Sequence, residues 1–218
     1  IFHVACGSRV YSATMAGAHM VMLRNFTPAD ALETIERERI TDGLFVPTML
    51  NMMINHPRFA EYDLTTLSHI AYGASPMPKA LLQRTMELLP RVSFYQGYGM
   101  TEASPILTVM PSKYHQVEGP YADKLSSVGV PAHHVDLRFV DAQDRDVKPG
   151  EIGELVARGP NIMLGYWRKP ELSRETLRGG WYHTGDAGYM DADGFVFLVD
   201  RVKDMIVSGG ENVYSSDV

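Results

Sequence analysis

Hydrophobic positions along the first half of the chain alternate between helical and strand spacing. Ala31, Leu32, Ile35 and Arg39 share one helical face, with Thr27 placed as the N-cap and Pro28 as the first helical residue. This predicts an amphipathic helix to about Ile40. Leu44-Phe45-Val46 reads as a short buried strand halted by Pro47, and Met49, Leu50, Met52, Met53 and Ile54 as a helix ending near His56-Pro57. Leu67 to Tyr72 is a strand, Pro78 to Leu89 a helix and Val92 to Gln96 another strand. Strands and helices alternating at this spacing predict an α/β layer with a largely parallel sheet.

After about Gly119 the pattern changes to short strands and turns. Val135, Leu137 and Phe139 alternate with Asp136 and Arg138, as in a strand with one wet face. Ile152 to Arg158 is the next strand, and a helix opening at Pro170 closes at Gly179-Gly180. Tyr189-Met190 and Phe195 to Val199 flank Asp191-Ala192-Asp193-Gly194, which predicts a hairpin. The spacing of that loop is wrong for calcium, whose loop glycine comes sixth and glutamate twelfth. The expected organisation is an α/β subdomain over residues 1–120, a β-rich, distorted barrel-like subdomain over 121–200, and a hinge with the start of a C-terminal domain from 201 to 218.

Composition adds exclusions. In 218 residues, 45% are apolar and 21% charged, the balance of a globular protein. No apolar run approaches the roughly 18 residues of a membrane span. The single cysteine excludes an internal disulfide framework, and none of the eight histidines has zinc-site spacing. A net charge of −6 argues against broad nucleic-acid binding. Neither end reads as a signal peptide, and the expected location is the cytoplasm.

Five segments can carry chemistry, most of them with a plain structural alternative. Gly97-Tyr98-Gly99-Met100-Thr101-Glu102 follows a strand; its glycines admit a ligand, Thr101 offers a hydroxyl to a phosphate and Glu102 a carboxylate to Mg²⁺. It could equally be an ordinary glycine turn. Gly73-Ala74-Ser75 at another strand's end can admit a flat ring, or form a strand-to-helix turn capped by Ser75. Thr184-Gly185-Asp186 offers a carboxylate to a vicinal diol and Arg201 a planar fork to the same diol; alternatively these are a surface turn and a solvated ion-pair cluster. Ser208-Gly209-Gly210-Glu211-Asn212 is a glycine turn that could serve as a hinge or lie against a ligand's chain.

The order of these segments resembles the adenylate-forming (AMP-binding) superfamily, and within it the acyl-CoA synthetases. The resemblance rests on Phe2-His3, Val46-Pro47-Thr48, Gly73 to Pro78, Gln96 to Glu102, Gly150 to Leu155, Arg158 to Met163, Gly165-Tyr166-Trp167, Thr184 to Asp186, Asp200 to Asp204 and Ser208 to Tyr214. It implies that ATP activates a carboxylic acid to an acyl-adenylate and that coenzyme A then displaces AMP, with Mg²⁺ required. By resemblance Thr101 holds the α-phosphate and Glu102 the Mg²⁺. Gly73, Ala74, Ser75, Gly97, Gly99 and a stacking Tyr98 line the ATP site, while Asp186 and Arg201 hold the ribose. His3 lies by the acyl group, Lys203 at the pivot of a C-terminal domain, and Gly209 and Gly210 along the coenzyme A channel.

Met100 stands where peptide-synthetase adenylation domains typically have proline, and Ser208 to Tyr214 looks like fatty-acyl and aryl-acid CoA ligases. A fatty acid is the expected substrate. The family's glycine-rich phosphate loop and its adenylation lysine both fall outside this chain, so the 218 residues are expected to be an inactive fragment. Ser215 and Asp217 depart from the usual proline and glutamate after the hinge. Two rival readings are an adenylation domain that loads a carrier protein and a non-catalytic nucleotide-binding module.

Overall fold

A computed structural model describes residues 3–202 together with the backbone of Ile206–Ser208 and Glu211–Val213. The chain divides into two compact units, one of residues 1–98 and 110–126, the other of residues 99–109 and 127–218.

The first unit holds α1 (Val4–Met15), α2 (Pro28–Arg37), β1 (Asp42–Phe45), α3 (Pro47–Ile54), β2 (His69–Gly73), α4 (Lys79–Leu88) and β3 (Ser93–Gly99), which runs to the unit's boundary at Tyr98. The expected α2 forms because Thr27 Oγ1 accepts the Asp30 N–H at 3.1 Å, supplying one of the donors a helix start leaves unpaired. It ends at Arg37, short of the expected Ile40. β1 pairs parallel with β2 and β2 parallel with β3, in register Gly73↔Gly97 at the last step. With α3 and α4 as the crossovers, this is the parallel layer the alternation predicted.

Leu32, Leu50, Ile70, Leu82 and Phe94 are all at most 2% exposed and form the core of this unit. Each such side chain contributes on the order of 2 kcal/mol by leaving water. Helix α1 was not anticipated, since it buries no residue and so shows no apolar stripe. Ser75 does not cap α4: the N-cap is Pro78, which has no side chain to accept a hydrogen bond.

The second unit is the β-rich part. A four-stranded antiparallel sheet runs in the order β6 (Asp136–Val140), β7 (Gly153–Arg158), β8 (Tyr182–Met190) and β9 (Val196–Arg201). β4 (Ile106–Met110) pairs antiparallel with β5 (Val130–Pro131), and α5 spans Pro170–Thr176. β10 (Ile206–Ser208) and β11 (Glu211–Val213) pair antiparallel. Leu155, Val156, Ala157 and Val196 are fully buried at the centre of this unit. The β8–β9 hairpin turns where expected, with Asp191 Oδ1 accepting the N–H groups of Asp193 and Phe195 at 3.0 and 2.8 Å. Among the described residues no helix is long and apolar enough to cross a membrane.

Candidate functional site

In the first unit the expected residues gather at the carboxyl ends of β2 and β3. Gly73 and Gly97 are paired there, and a Cβ added to Gly73 would lie 2.4 Å from the Gly97 carbonyl oxygen. Only glycine lets the two strand ends come this close. The next residue, Ala74, is exposed and held at φ +65°, a conformation that costs a non-glycine residue roughly 1–2 kcal/mol. Ser75 is exposed in the bend that follows, and Tyr98 is half-buried at the end of β3.

Behind this edge, the buried Tyr72 hydroxyl bonds His115 Nε2 at 2.9 Å, and His115 Nδ1 faces the Pro111 carbonyl at 3.2 Å. A carbonyl only accepts, so Nδ1 carries the imidazole proton and Nε2 takes the Tyr72 hydrogen. Burial lowers the His115 pKa to about 4 and raises that of Tyr72, so both stay neutral. His3, expected beside the acyl group, is exposed and caps α1, its Nδ1 accepting the Ala5 N–H at 3.3 Å.

In the second unit a short turn, Thr101–Ala103, carries the expected hydroxyl and carboxylate just after Gly99. Thr101 is exposed and Glu102 half-buried. Three residues of the segment 161–166 hold this turn. Asn161 Nδ2 donates to the carbonyls of Ala103 and Ile106 at 2.6 and 3.2 Å. Met163 N–H donates to the Glu102 carbonyl at 2.8 Å, and the Tyr166 hydroxyl donates to Glu102 Oε1 at 2.9 Å. Burial, with Glu102 adding to it, pushes the Tyr166 pKa up to about 12, which keeps that hydroxyl a donor.

Asp186 and Arg201 come together as expected, Arg201 Nε lying 3.0 Å from Asp186 Oδ1. Only the carboxylate is buried: Asp186 lies in β8 with its side chain 11% exposed, while the Arg201 side chain is 54% exposed. The buried hydroxyl of Tyr182 feels both carboxylates. Desolvation raises its pKa most, and Glu102, Tyr166 and Asp186 raise it further. Glu102 and Asp186 therefore belong to one charged neighbourhood within this unit. Tyr166 and Tyr182 were missed as site residues, although Tyr166 stands inside a segment that carried the resemblance and Tyr182 two residues before another. Lys203, Gly209 and Gly210 lie outside the described residues.

Among the described residues no group of three or more His, Cys, Asp and Glu side chains could hold a metal ion. The donor set suits Mg²⁺ delivered with a nucleotide, because that ion binds through one or two carboxylates plus substrate phosphates. Glu102 supplies a hard oxygen donor, and Thr101, the residue before it, a hydroxyl.

Residues 1–167 match the family described as AMP-binding enzymes. A feruloyl-CoA synthase from Amycolatopsis is 41% identical over 219 aligned positions, covering all of this chain and 43% of that protein. A fatty acid–[acyl-carrier-protein] ligase from Streptomyces coeruleorubidus is 38% identical, covering 93% of this chain and 38% of its own length. The O-succinylbenzoate coenzyme A synthetase of Bacillus subtilis, in complex with ATP and magnesium ion, superposes with a TM-score of 0.85 at 29% identity. That match covers 99% of this chain and 43% of the synthetase. The chain thus spans about two fifths of the curated relatives it matches.

Proposed function

The chain belongs to the AMP-binding enzyme family, and on that footing we propose that it is the nucleotide-holding part of an AMP-forming acid–thiol ligase. The observation that carries this reading is the carboxylate pair of the second unit. Glu102 is fixed by Tyr166, Asp186 is paired with Arg201, and both act on the buried Tyr182. One carboxylate follows a hydroxyl-bearing residue in the same turn, as a metal–phosphate site can use, and the other pairs with a guanidinium, as a ribose site can.

In the full-length protein a substrate carboxylate oxygen attacks the α-phosphorus of ATP. The bond to the bridging oxygen breaks, and pyrophosphate leaves with its electron pair. The thiol of coenzyme A then attacks the acyl carbon and AMP departs. Chemistry of this kind depends on positioning and charge neutralisation rather than covalent help. Thr101 donates its hydroxyl to an α-phosphate oxygen. Glu102 would hold Mg²⁺, which when bound neutralises phosphate charge. Gly73, Ala74, Ser75, Gly97 and Gly99 border the adenine, with the Tyr98 ring against its face. Asp186 accepts hydrogen bonds from the ribose hydroxyls and Arg201 fixes Asp186. His3 faces the acyl group, Lys203 is the pivot, and Gly209 and Gly210 border the thiol's channel.

The acid is left at the level of a carboxylic acid. The expectation of a fatty acid is too narrow, because relatives of similar identity are named for feruloyl and fatty acyl groups. A second reading, transfer to a carrier-protein pantetheine, is supported by the acyl-carrier-protein ligase among them.

Pyrophosphate exchange by the full-length protein, over a panel of aliphatic and aryl acids, tests the reading. Exchange that needs Mg²⁺ and one class of acid is expected, and its loss in Glu102→Ala. Full exchange by that variant removes Glu102 from the site. Supplying free coenzyme A or a pantetheine-bearing carrier protein as acceptor separates the two thiols.

A further inference from the structure

Asp186 sits on an irregularity of the second unit's sheet. β7 and β8 pair Val156 with His183 and Glu154 with Ala187, so Thr184, Gly185 and Asp186 together stand opposite Leu155 alone. Such a bulge re-aims a side chain and takes its residues out of the regular ladder, so their backbone groups need other partners. Gly185 bends the strand at φ +74°, where a side chain would be strained. Thr184 Oγ1 donates to the Leu155 carbonyl at 2.8 Å and accepts the Asp186 N–H at 3.0 Å. The Gly185 carbonyl accepts the N–H of Val202, the residue after Arg201, at 2.9 Å.

The Gly185 N–H is satisfied by a carboxylate from the neighbouring strand: Glu154 Oε1 accepts it at 3.1 Å. The other oxygen of Glu154 accepts from His183 Nδ1 at 2.9 Å and from Arg178 at 3.4 Å. Arg178 is itself forked onto Asp144, at 3.2 and 3.1 Å. The Glu154 side chain is 19% exposed and that of His183 6%, so this carboxylate is largely out of water and engaged through both oxygens. Buried charge of this kind costs desolvation and is held only by such compensation.

We propose that Glu154 is the positioning residue of the ribose site, holding the Gly185 bend so that Asp186 is presented to the nucleotide. The proposal rests on the reading of Asp186 as the ribose carboxylate. Glu154 does not touch the nucleotide; it acts through the Gly185 N–H.

The test uses the full-length protein and compares ATP with 2′-deoxy-ATP and 3′-deoxy-ATP in pyrophosphate exchange, with thermal melting of every variant alongside. Glu154→Asp keeps the charge but draws the carboxylate back by one methylene, out of reach of Gly185. It should lower the preference for ATP over the deoxynucleotides by about fivefold, with the KM for the acid unchanged. Glu154→Gln keeps a carbonyl oxygen for the Gly185 N–H and should retain the preference within about twofold. A merely structural residue would lower activity with all three nucleotides in proportion. Asp186→Asn separates the two ideas. If it abolishes the preference while Glu154→Asp leaves it intact, the positioning role is overturned and the ribose reading stands. If Asp186→Asn itself leaves the preference intact, the ribose reading falls and the proposal with it.

Discussion

Tyr166 donates its hydroxyl hydrogen to Oε1 of Glu102 at 2.9 Å, joining residues 64 positions apart in sequence. The bond takes up one carboxylate oxygen and orients the other. Because burial and Glu102 push the tyrosine's pKa up to about 12, the donor persists across any pH at which an enzyme works.

Removing this hydroxyl should loosen the carboxylate without emptying the site. Hydrogen bonds to charged groups are worth about 1.5–3 kcal/mol, reduced here because Tyr166 is only partly buried. Tyr166→Phe in the full-length protein should raise the Mg²⁺ concentration for half-maximal exchange by roughly tenfold at the lower end of that range. The KM for the acid should stay put. Titration of Mg²⁺ at fixed nucleotide, with Mn²⁺ binding followed by electron paramagnetic resonance, checks both. An unchanged metal requirement would detach Tyr166 from the metal site.

The cap of α2 makes a stability prediction independent of function. Thr27→Ala removes the acceptor for the Asp30 N–H at the start of a helix that buries Ala31, Leu32 and Ile35. It should cost about 1 kcal/mol, while Thr27→Ser, which keeps the acceptor, should leave stability nearly unchanged. Urea midpoints of the three proteins decide it.

The Tyr72–His115 pair predicts a pH dependence. His115 is neutral in the fold with a pKa of about 4, against about 6.5 when unfolded. Between those values the unfolded chain binds a proton that the folded chain refuses, so stability falls as pH drops through the window. Stability from this group is complete above about pH 6.5, and roughly 3 kcal/mol is lost by pH 4. Denaturant unfolding from pH 7.5 to 4 should show the decline, and His115→Gln should flatten it by that amount.

What could be read from the sequence was local. Thr27-Pro28 announces a helix start through cap chemistry confined to four residues, and Asp191 to Gly194 announces its turn in the same way. The parallel layer followed from alternation of short patterns. The burial of Tyr182 to Asp186 could not be read, because His-Thr-Gly-Asp has turn composition and becomes a strand only between β7 and β9. The fixation of Glu102 by Tyr166 and of Gly185 by Glu154 likewise needs partners from distant segments. Helix α1 left no pattern because it buries nothing in this chain, and Ser75 looked like a cap although the helix begins four residues later, at Lys79.

Gly73 offers the sharpest test of the proposed adenine edge. The close approach of β2 and β3 there leaves no room for a methyl group, since a Cβ would meet the Gly97 carbonyl oxygen at 2.4 Å. Neither atom is the end of a flexible side chain, so Gly73→Ala must push two paired strands apart, at a cost of about 1–3 kcal/mol. The displacement falls on the residues proposed to border the base, so the KM for ATP should rise at least tenfold while the Mg²⁺ requirement of exchange changes little. Gly7→Ala is the control: it lies in α1 with nothing within 4 Å of the added carbon, and alanine there should be neutral or slightly stabilising. Steady-state kinetics and urea unfolding of both variants supply the comparison. A Gly73→Ala protein that is destabilised yet keeps the parent KM for ATP would leave the strand ends as scaffold and move the base elsewhere.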